Sequence, residues 1–317
     1  MKAQFKYLLQ ASSHLFGGAI LVGAALLLST AARAQNLYAT DSDIGSILEF
    51  TSGGVQSTFV SGYQNTVIGG LAINSSGYLF VSVPGNGDIY EFTPGGGQSV
   101  FASGLNDPDA LAFNSAGDLF EADGAGVINE FTPGGTQSFF AGGLHNPHGL
   151  AFSSAGNLFV GDSGNGNIYE YTPGGVQSTF ASGSYVSGLN TLGALAFDSS
   201  GDLFAAAFAS GSNPTQGTGV IYKFTPGGMR STFASGLNAP IGLAFNSAGE
   251  LFVADFTANG HIGDGSIYEF TSTGAKSTFA NGTNPDYLAF QPVPEPSAFG
   301  LLSVAFAVLC NRRRRVA

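Results

Sequence analysis

Basic residues are nearly missing from the middle of this 317-residue chain. Lys2, Lys6 and Arg33 stand at its start and Arg312 to Arg315 at its end. Between them only Lys223, Arg230 and Lys276 occur, against all 21 acidic residues. A body this acidic repels nucleic acid and anionic membrane surfaces. It attracts cations, basic partners or neutral glycans. Cysteine is limited to Cys310, near the C-terminus, so no intrachain disulfide can form. No G-x-S-x-G elbow, Cys/His nucleophile pair or dinucleotide fingerprint occurs. The glycine-rich Ser163-Gly164-Asn165-Gly166 has no lysine and no following helix, which excludes a phosphate loop. Long hydrophobic runs are missing as well. The apolar stretches Phe16–Leu28 and Ser297–Cys310 are both short for a membrane span.

Glycine and phenylalanine are abundant instead, 48 and 28 residues, and both are periodic. The cleanest copy of the repeat runs from Gly149 to Gly183. Four apolar runs, Leu150–Phe152, Leu158–Val160, Ile168–Tyr171 and Thr179–Ala181, are separated by Gly, Asn, Ser and Pro clusters. Short runs rich in Val, Ile, Phe and Tyr between turn formers are strands. Ser154-Ala155-Gly156-Asn157 and Thr172-Pro173-Gly174-Gly175 read as tight turns. One copy is therefore a four-stranded antiparallel meander.

The phrase Ile168-Tyr169-Glu170-Tyr171 has five counterparts, beginning at Ile47, Ile89, Ile128, Ile221 and Ile267. A period of about 40–48 residues with four strands per unit predicts a β-propeller, here with six blades. The first copy lacks its leading strand, and Tyr287-Leu288-Ala289-Phe290 is a leading strand without followers. The two halves complete one blade and close the ring. The expected fold is all-β, a six-bladed propeller over residues 35–292. Residues 1–34 read as a signal peptide, with Lys2 and Lys6 before the apolar run and Ala32-Arg33-Ala34 as the cleavage site. Residues 293–317 form a separate tail with a short transmembrane helix and a basic end.

The stretch Gly149-Leu150-Ala151-Phe152, then Gly156-Asn157-Leu158-Phe159-Val160-Gly161-Asp162, then Asn165 and Ile168, resembles an NHL repeat. It is also similar to blades of the gluconolactonase/senescence-marker family of six-bladed propellers. That likeness spans residues 36–290 and implies architecture more than activity, because those families include scaffolds, binding proteins and metal-dependent hydrolases. The tail resembles a PEP-CTERM sorting signal: Pro294, Glu295 and Pro296, an apolar helix, then Arg312, Arg313, Arg314 and Arg315. This implies handling by signal peptidase and an exosortase, and export to the cell envelope or beyond. Before processing, the C-terminal helix would hold the chain in the membrane.

Family geometry puts function on the face opposite the uniform Thr-Pro-Gly-Gly turns. One ring there comprises Asp41, Asp123, Asp162 and Asp255, with Val83 and Ala207 in the other blades. Its repetition points to architecture, with the carboxylates accepting loop N–H groups. A second ring, expected just before each inner strand, is Gly69, Asp109, His148, Gly193, Ile241 and Asp286. The family resemblance implies a divalent cation at such positions. Asp109, His148 and Asp286 would hold it here, as Ca²⁺ or, with the imidazole, Zn²⁺; the alternative makes them wet loop residues. His145, Asn146, Asn190, Asn238, His261 and Asp264 complete the expected binding face, much of it in the longer loops. Two functions follow. The leading one is a non-enzymatic exported scaffold at the cell surface or in an exopolysaccharide matrix, binding a glycan or protein. The alternative is a metal-dependent, lactonase-like hydrolase with its site at the channel mouth.

Overall fold

The computed structural model describes residues 35–63, 66–182, 191–209, 218–256 and 264–293. The leader, the sorting motif from Pro294 to Arg315, His261 and Asn190 lie outside the described residues. No helix among the described residues is long and apolar enough to cross a membrane.

Among the described residues, twenty-four strands alternate with turns. The chain opens with β1 (Leu37–Asp41), β2 (Ser46–Phe50) and β3 (Gln56–Ser61). Then come β4 (Leu71–Ile73), β5 (Leu79–Val83), β6 (Asp88–Phe92) and β7 (Gln98–Ala102). The third group is β8 (Leu111–Phe113), β9 (Leu119–Asp123), β10 (Val127–Phe131) and β11 (Gln137–Gly142). The fourth is β12 (Pro147–Phe152), β13 (Leu158–Asp162), β14 (Asn167–Tyr171) and β15 (Gln177–Ala181). The fifth is β16 (Thr191–Phe197), β17 (Leu203–Phe208), β18 (Gly219–Phe224) and β19 (Arg230–Leu237). The sixth is β20 (Ala239–Phe245), β21 (Leu251–Phe256), β22 (Ser266–Phe270) and β23 (Lys276–Asn281), after which β24 (Pro285–Phe290) stands alone.

Each group is one four-stranded antiparallel sheet, and β24 is the inner strand of the first, in the order β24-β1-β2-β3. Leu37 pairs with Phe290 and Ala39 with Leu288, so the two ends of the body close the ring, as the split repeat predicts. We number the blades 1 to 6 from this closing blade.

The turns follow the residues that make them. Thr172 Oγ1 accepts the Val176 N–H at 3.2 Å while Gly175 takes a φ of 77°, available at low cost only to glycine. At the other hairpin, Asn114 Oδ1 accepts the N–H groups of Ala116 and Asp118, both at 2.9 Å. Six apolar clusters fill the six blade-to-blade interfaces. Phenylalanines dominate them: Phe120 meets Phe140 and Phe152 edge-on, each at 5.0 Å, and the pattern recurs around the ring. Such T-shaped pairs add about 0.5–1.5 kcal/mol beyond burial. At the axis the inner strands nearly touch. A Cβ on Gly149 would lie 2.5 Å from the Gly193 carbonyl oxygen of the next blade, so only glycine fits there.

Candidate functional site

The predicted carboxylate ring is structural. Asp162 is fully buried and accepts the N–H groups of His145 at 3.0 Å and Asn146 at 2.8 Å. Asp123 accepts from Asn106 at 3.0 Å, Asp255 from Asn238 at 2.9 Å and Asp41 from Asn284 at 3.1 Å. Each thus ties down the loop entering its own blade. In blade 1 the same bond joins residues 243 apart in the chain.

The second ring lies deeper than expected. His148, Gly193, Ile241 and Asp286 are not ahead of the inner strands but inside them. The cause is a recurrent bulge. Pro147 pairs with Asp162 and Gly149 with Gly161, which leaves His148 as an extra residue. Ile241 is extra in β20 in the same way. In β24, Asp286 and Tyr287 share the place opposite Thr40. Bulges re-aim side chains and are common beside functional sites.

The bulges bring Asp109 and His148 together and leave Asp286 elsewhere. His148 Nδ1 lies 2.6 Å from Asp109 Oδ2. The other oxygen, Asp109 Oδ1, accepts the Tyr287 hydroxyl at 2.5 Å. Tyr287 belongs to blade 1 and His148 to the opposite blade 4, so the tyrosine reaches across the channel. The Asp109 backbone is fixed too, with its N–H on the Ala122 carbonyl at 2.9 Å. Its own carbonyl accepts from Gly70 N–H at 3.1 Å and Ser82 Oγ at 2.6 Å. Asp286 instead takes the N–H and hydroxyl of Ser42.

The protonation equilibria follow from these contacts. Burial acts to lower the His148 pKa, but the hydrogen bond and charge of Asp109, with Asp107 behind it, outweigh that and hold it above its ordinary value. Burial pushes Asp286 up to about 7, against its Ser42 bonds and with the like charges of Asp41 and Asp43. Burial, then the neighbouring Asp109 carboxylate, keeps Tyr287 protonated far beyond the ordinary phenol range.

A cavity of about 380 Å³ opens at this mouth among blades 2, 3 and 4. Its wall includes Val67, Pro84, Asp107, Asp109, Pro147 and His148. Asn146 lines it, as the sequence suggested, while His145 is exposed beside it and its ring sits 3.4 Å from Asn165 Nδ2. Asn238 is held by Asp255 in blade 6, and Asp264 is exposed at the same end of the molecule.

Among the described residues no three or more His, Cys, Asp or Glu side chains are placed to hold a metal ion. Asp109 and His148 are bonded to each other, and Asp286 is engaged by Ser42. This donor set does not fit a centre built on three protein ligands.

Tyr287 is the member of the candidate site that the sequence reading missed. Its signal was present: the residue after the second ring is Gly70, Ala110, Gly149, Ala194 and Gly242 in five blades and Tyr287 in the sixth.

No protein-family profile matches the chain, and no curated protein does. Solved structures do. A gluconolactonase from Xanthomonas campestris is 14% identical, covers 84% of this chain and 90% of its own, and superposes with a TM-score of 0.58. Virginiamycin B lyase from Staphylococcus aureus is 15% identical over 78% of this chain and 84% of its own, with a TM-score of 0.57. A luciferin-regenerating enzyme is 14% identical over 79% and 92%, with a TM-score of 0.60. At these identities the likeness is one of fold: senescence-marker/gluconolactonase-like and streptogramin lyase propellers share this architecture.

Proposed function

We propose that this propeller is an enzyme that opens a small cyclic ester or related ring, with His148 as its proton-transferring group. The observation that carries the reading is the 2.6 Å contact between His148 Nδ1 and an Asp109 carboxylate that Tyr287 holds from its other side. A neutral imidazole whose Nδ1–H donates a hydrogen bond to a carboxylate is held in one tautomer and leaves Nε2 as a base. Nε2 takes a proton from water, the hydroxide oxygen adds to the carbonyl carbon, and the ring C–O bond breaks. The leaving alkoxide then recovers the proton from the imidazolium. Abstraction of a carbon-bound proton by the same nitrogen would open the ring by elimination instead.

The named activities of the structural neighbours, gluconolactonase and lyase, support an enzyme over a pure scaffold. Export, with signal peptidase and exosortase processing, belongs to the same proposal and rests on the leader-like and PEP-CTERM-like sequences alone. The test is turnover of a lactone panel by the purified protein and by His148→Gln. We expect kcat/KM to fall by about 10²–10⁴, with a melting curve little changed above the native His148 pKa, where the charged pair no longer contributes. For a general base, activity rises with pH through a value above the ordinary imidazole range, and Asp109→Asn moves that limb down. A silent panel would return the protein to the scaffold reading, with a glycan or protein on the loop-bearing face. Loss of turnover on chelation, restored by Ca²⁺ or Zn²⁺, would revive the metal-dependent reading.

A further inference from the structure

Above the pH at which His148 loses its proton, the mouth of the channel carries charge of one sign. Asp43, Asp88, Asp107, Asp109 and Asp264 lie at this end of the strands, joined at alkaline pH by Asp286, whose pKa burial raises to about 7. The body's only lysines and arginine rise from the opposite end. Lys223 lies near the close of β18, 2.7 Å from Asp202 and 3.7 Å from Asp198. Arg230 and Lys276 begin β19 and β23, stacked on the rings of Tyr222 at 4.9 Å and Tyr268 at 3.4 Å. None is free to swing across, and the loops outside the described residues contain no lysine or arginine.

Within the cavity, Val67, Pro84 and Pro147 supply apolar wall. Asp107 is exposed at its edge and makes no ion pair among the described residues. Tyr287 and His148 occupy both oxygens of Asp109, so Asp107 is the carboxylate left for a ligand. A concave site with walls of one charge focuses the field and raises the local concentration of opposite charge.

We infer that this cavity selects a small organic cation, an ammonium group on an apolar body, and turns away carboxylates and phosphates. The ammonium sits against Asp107 and the apolar part against the two prolines and Val67. The inference deepens the enzymatic reading by naming the ligand class of the same site, but its test needs no turnover.

The probes are benzyltrimethylammonium, benzyl alcohol and benzoate, which share a ring and differ in charge. Binding to the full-length protein is followed by the His148 imidazole resonances, above the pH at which that ring titrates. The ammonium is expected to bind about tenfold more tightly than the alcohol, and benzoate more weakly than either. Raising salt should narrow the spread. Asp107→Asn should remove most of the ammonium's advantage. Asparagine, like aspartate, tolerates the left-handed backbone at this position, where φ is 56°. Equal binding of the three probes, a preference for benzoate, no binding at all, or an Asp107→Asn protein with unchanged preference would overturn the inference. Cation binding without lactone turnover would sink the catalytic reading and leave this one standing.

Discussion

Asp286 and His148 are both shifted upward, so the contribution of each to stability falls as pH rises, for different physical reasons. Asp286 titrates from 3.8 in the unfolded chain and near 7 in the fold, chiefly because burial disfavours its charge. The native state keeps this proton longer, so its contribution to stability falls as pH rises from about 4 to about 7. Asp286→Asn keeps an acceptor for Ser42 and removes the charge. Asp286 is only partly buried, so its charge is partly screened by solvent and we expect about 1–2 kcal/mol of added stability near pH 8 and no gain near pH 3. Urea unfolding at the two pH values checks it; an equal effect at both would show that charge is not the cause. The His148–Asp109 pair has the same pH direction but the opposite origin, a favourable charged pair at low pH rather than a penalised charge at high pH. Its stabilisation is complete below the ordinary imidazole value of 6.5 and is lost as pH climbs through the higher native pKa.

On the scale of strands, blade 3 departs from its neighbours at one pair. Across β5–β6, β13–β14 and β21–β22 the facing residues are Val81 and Tyr90, Val160 and Tyr169, Val253 and Tyr268. Across β9–β10 they are Glu121 and Asn129. Glu121 is fully buried; one oxygen takes the Asn129 amide at 2.9 Å and the other has no partner among the described residues. Burial pushes its pKa up to about 8. The double substitution Glu121→Val with Asn129→Tyr gives blade 3 the pair found in blades 2, 4 and 6. It should stabilise the fold by about 1–4 kcal/mol at neutral pH, read from denaturant midpoints. Glu121→Val alone should give less, because it leaves the Asn129 amide without its acceptor. A destabilised double variant would mean that blade 3 is packed around the polar pair.

For the whole molecule, everything depends on closure without a covalent clasp. Leu288 is buried in the seam between blades 6 and 1, and β24 also carries Tyr287. Leu288→Ala should cost about 2–4 kcal/mol. Its first local effect should be faster hydrogen exchange in β1, whose other edge is held by β2 alone. Loosening β24 also withdraws Tyr287 from Asp109, so activity and ring stability should decline together in this variant. Unchanged exchange in β1 would show that the ring is held elsewhere.

Blade number, closure and the role of the aspartate ring were all written in local patterns. Six Ile-x-Glu/Lys-aromatic phrases, one split unit and four aspartates at matched strand ends depend on neighbours within a few dozen residues. The site was legible only in part. Asp109 and His148 were picked out by matched position, but their contact, the departure of Asp286 to Ser42 and the reach of Tyr287 were decided by tertiary structure. Tyr287 lies 178 residues from Asp109 and 139 from His148, and joins them across the axis. That distance is spanned only because the sheets tilt around a common channel and bulges re-aim the first residues of their inner strands. Periodicity records which face of a strand is buried; it carries no information on which side chains from opposite blades will meet at the centre.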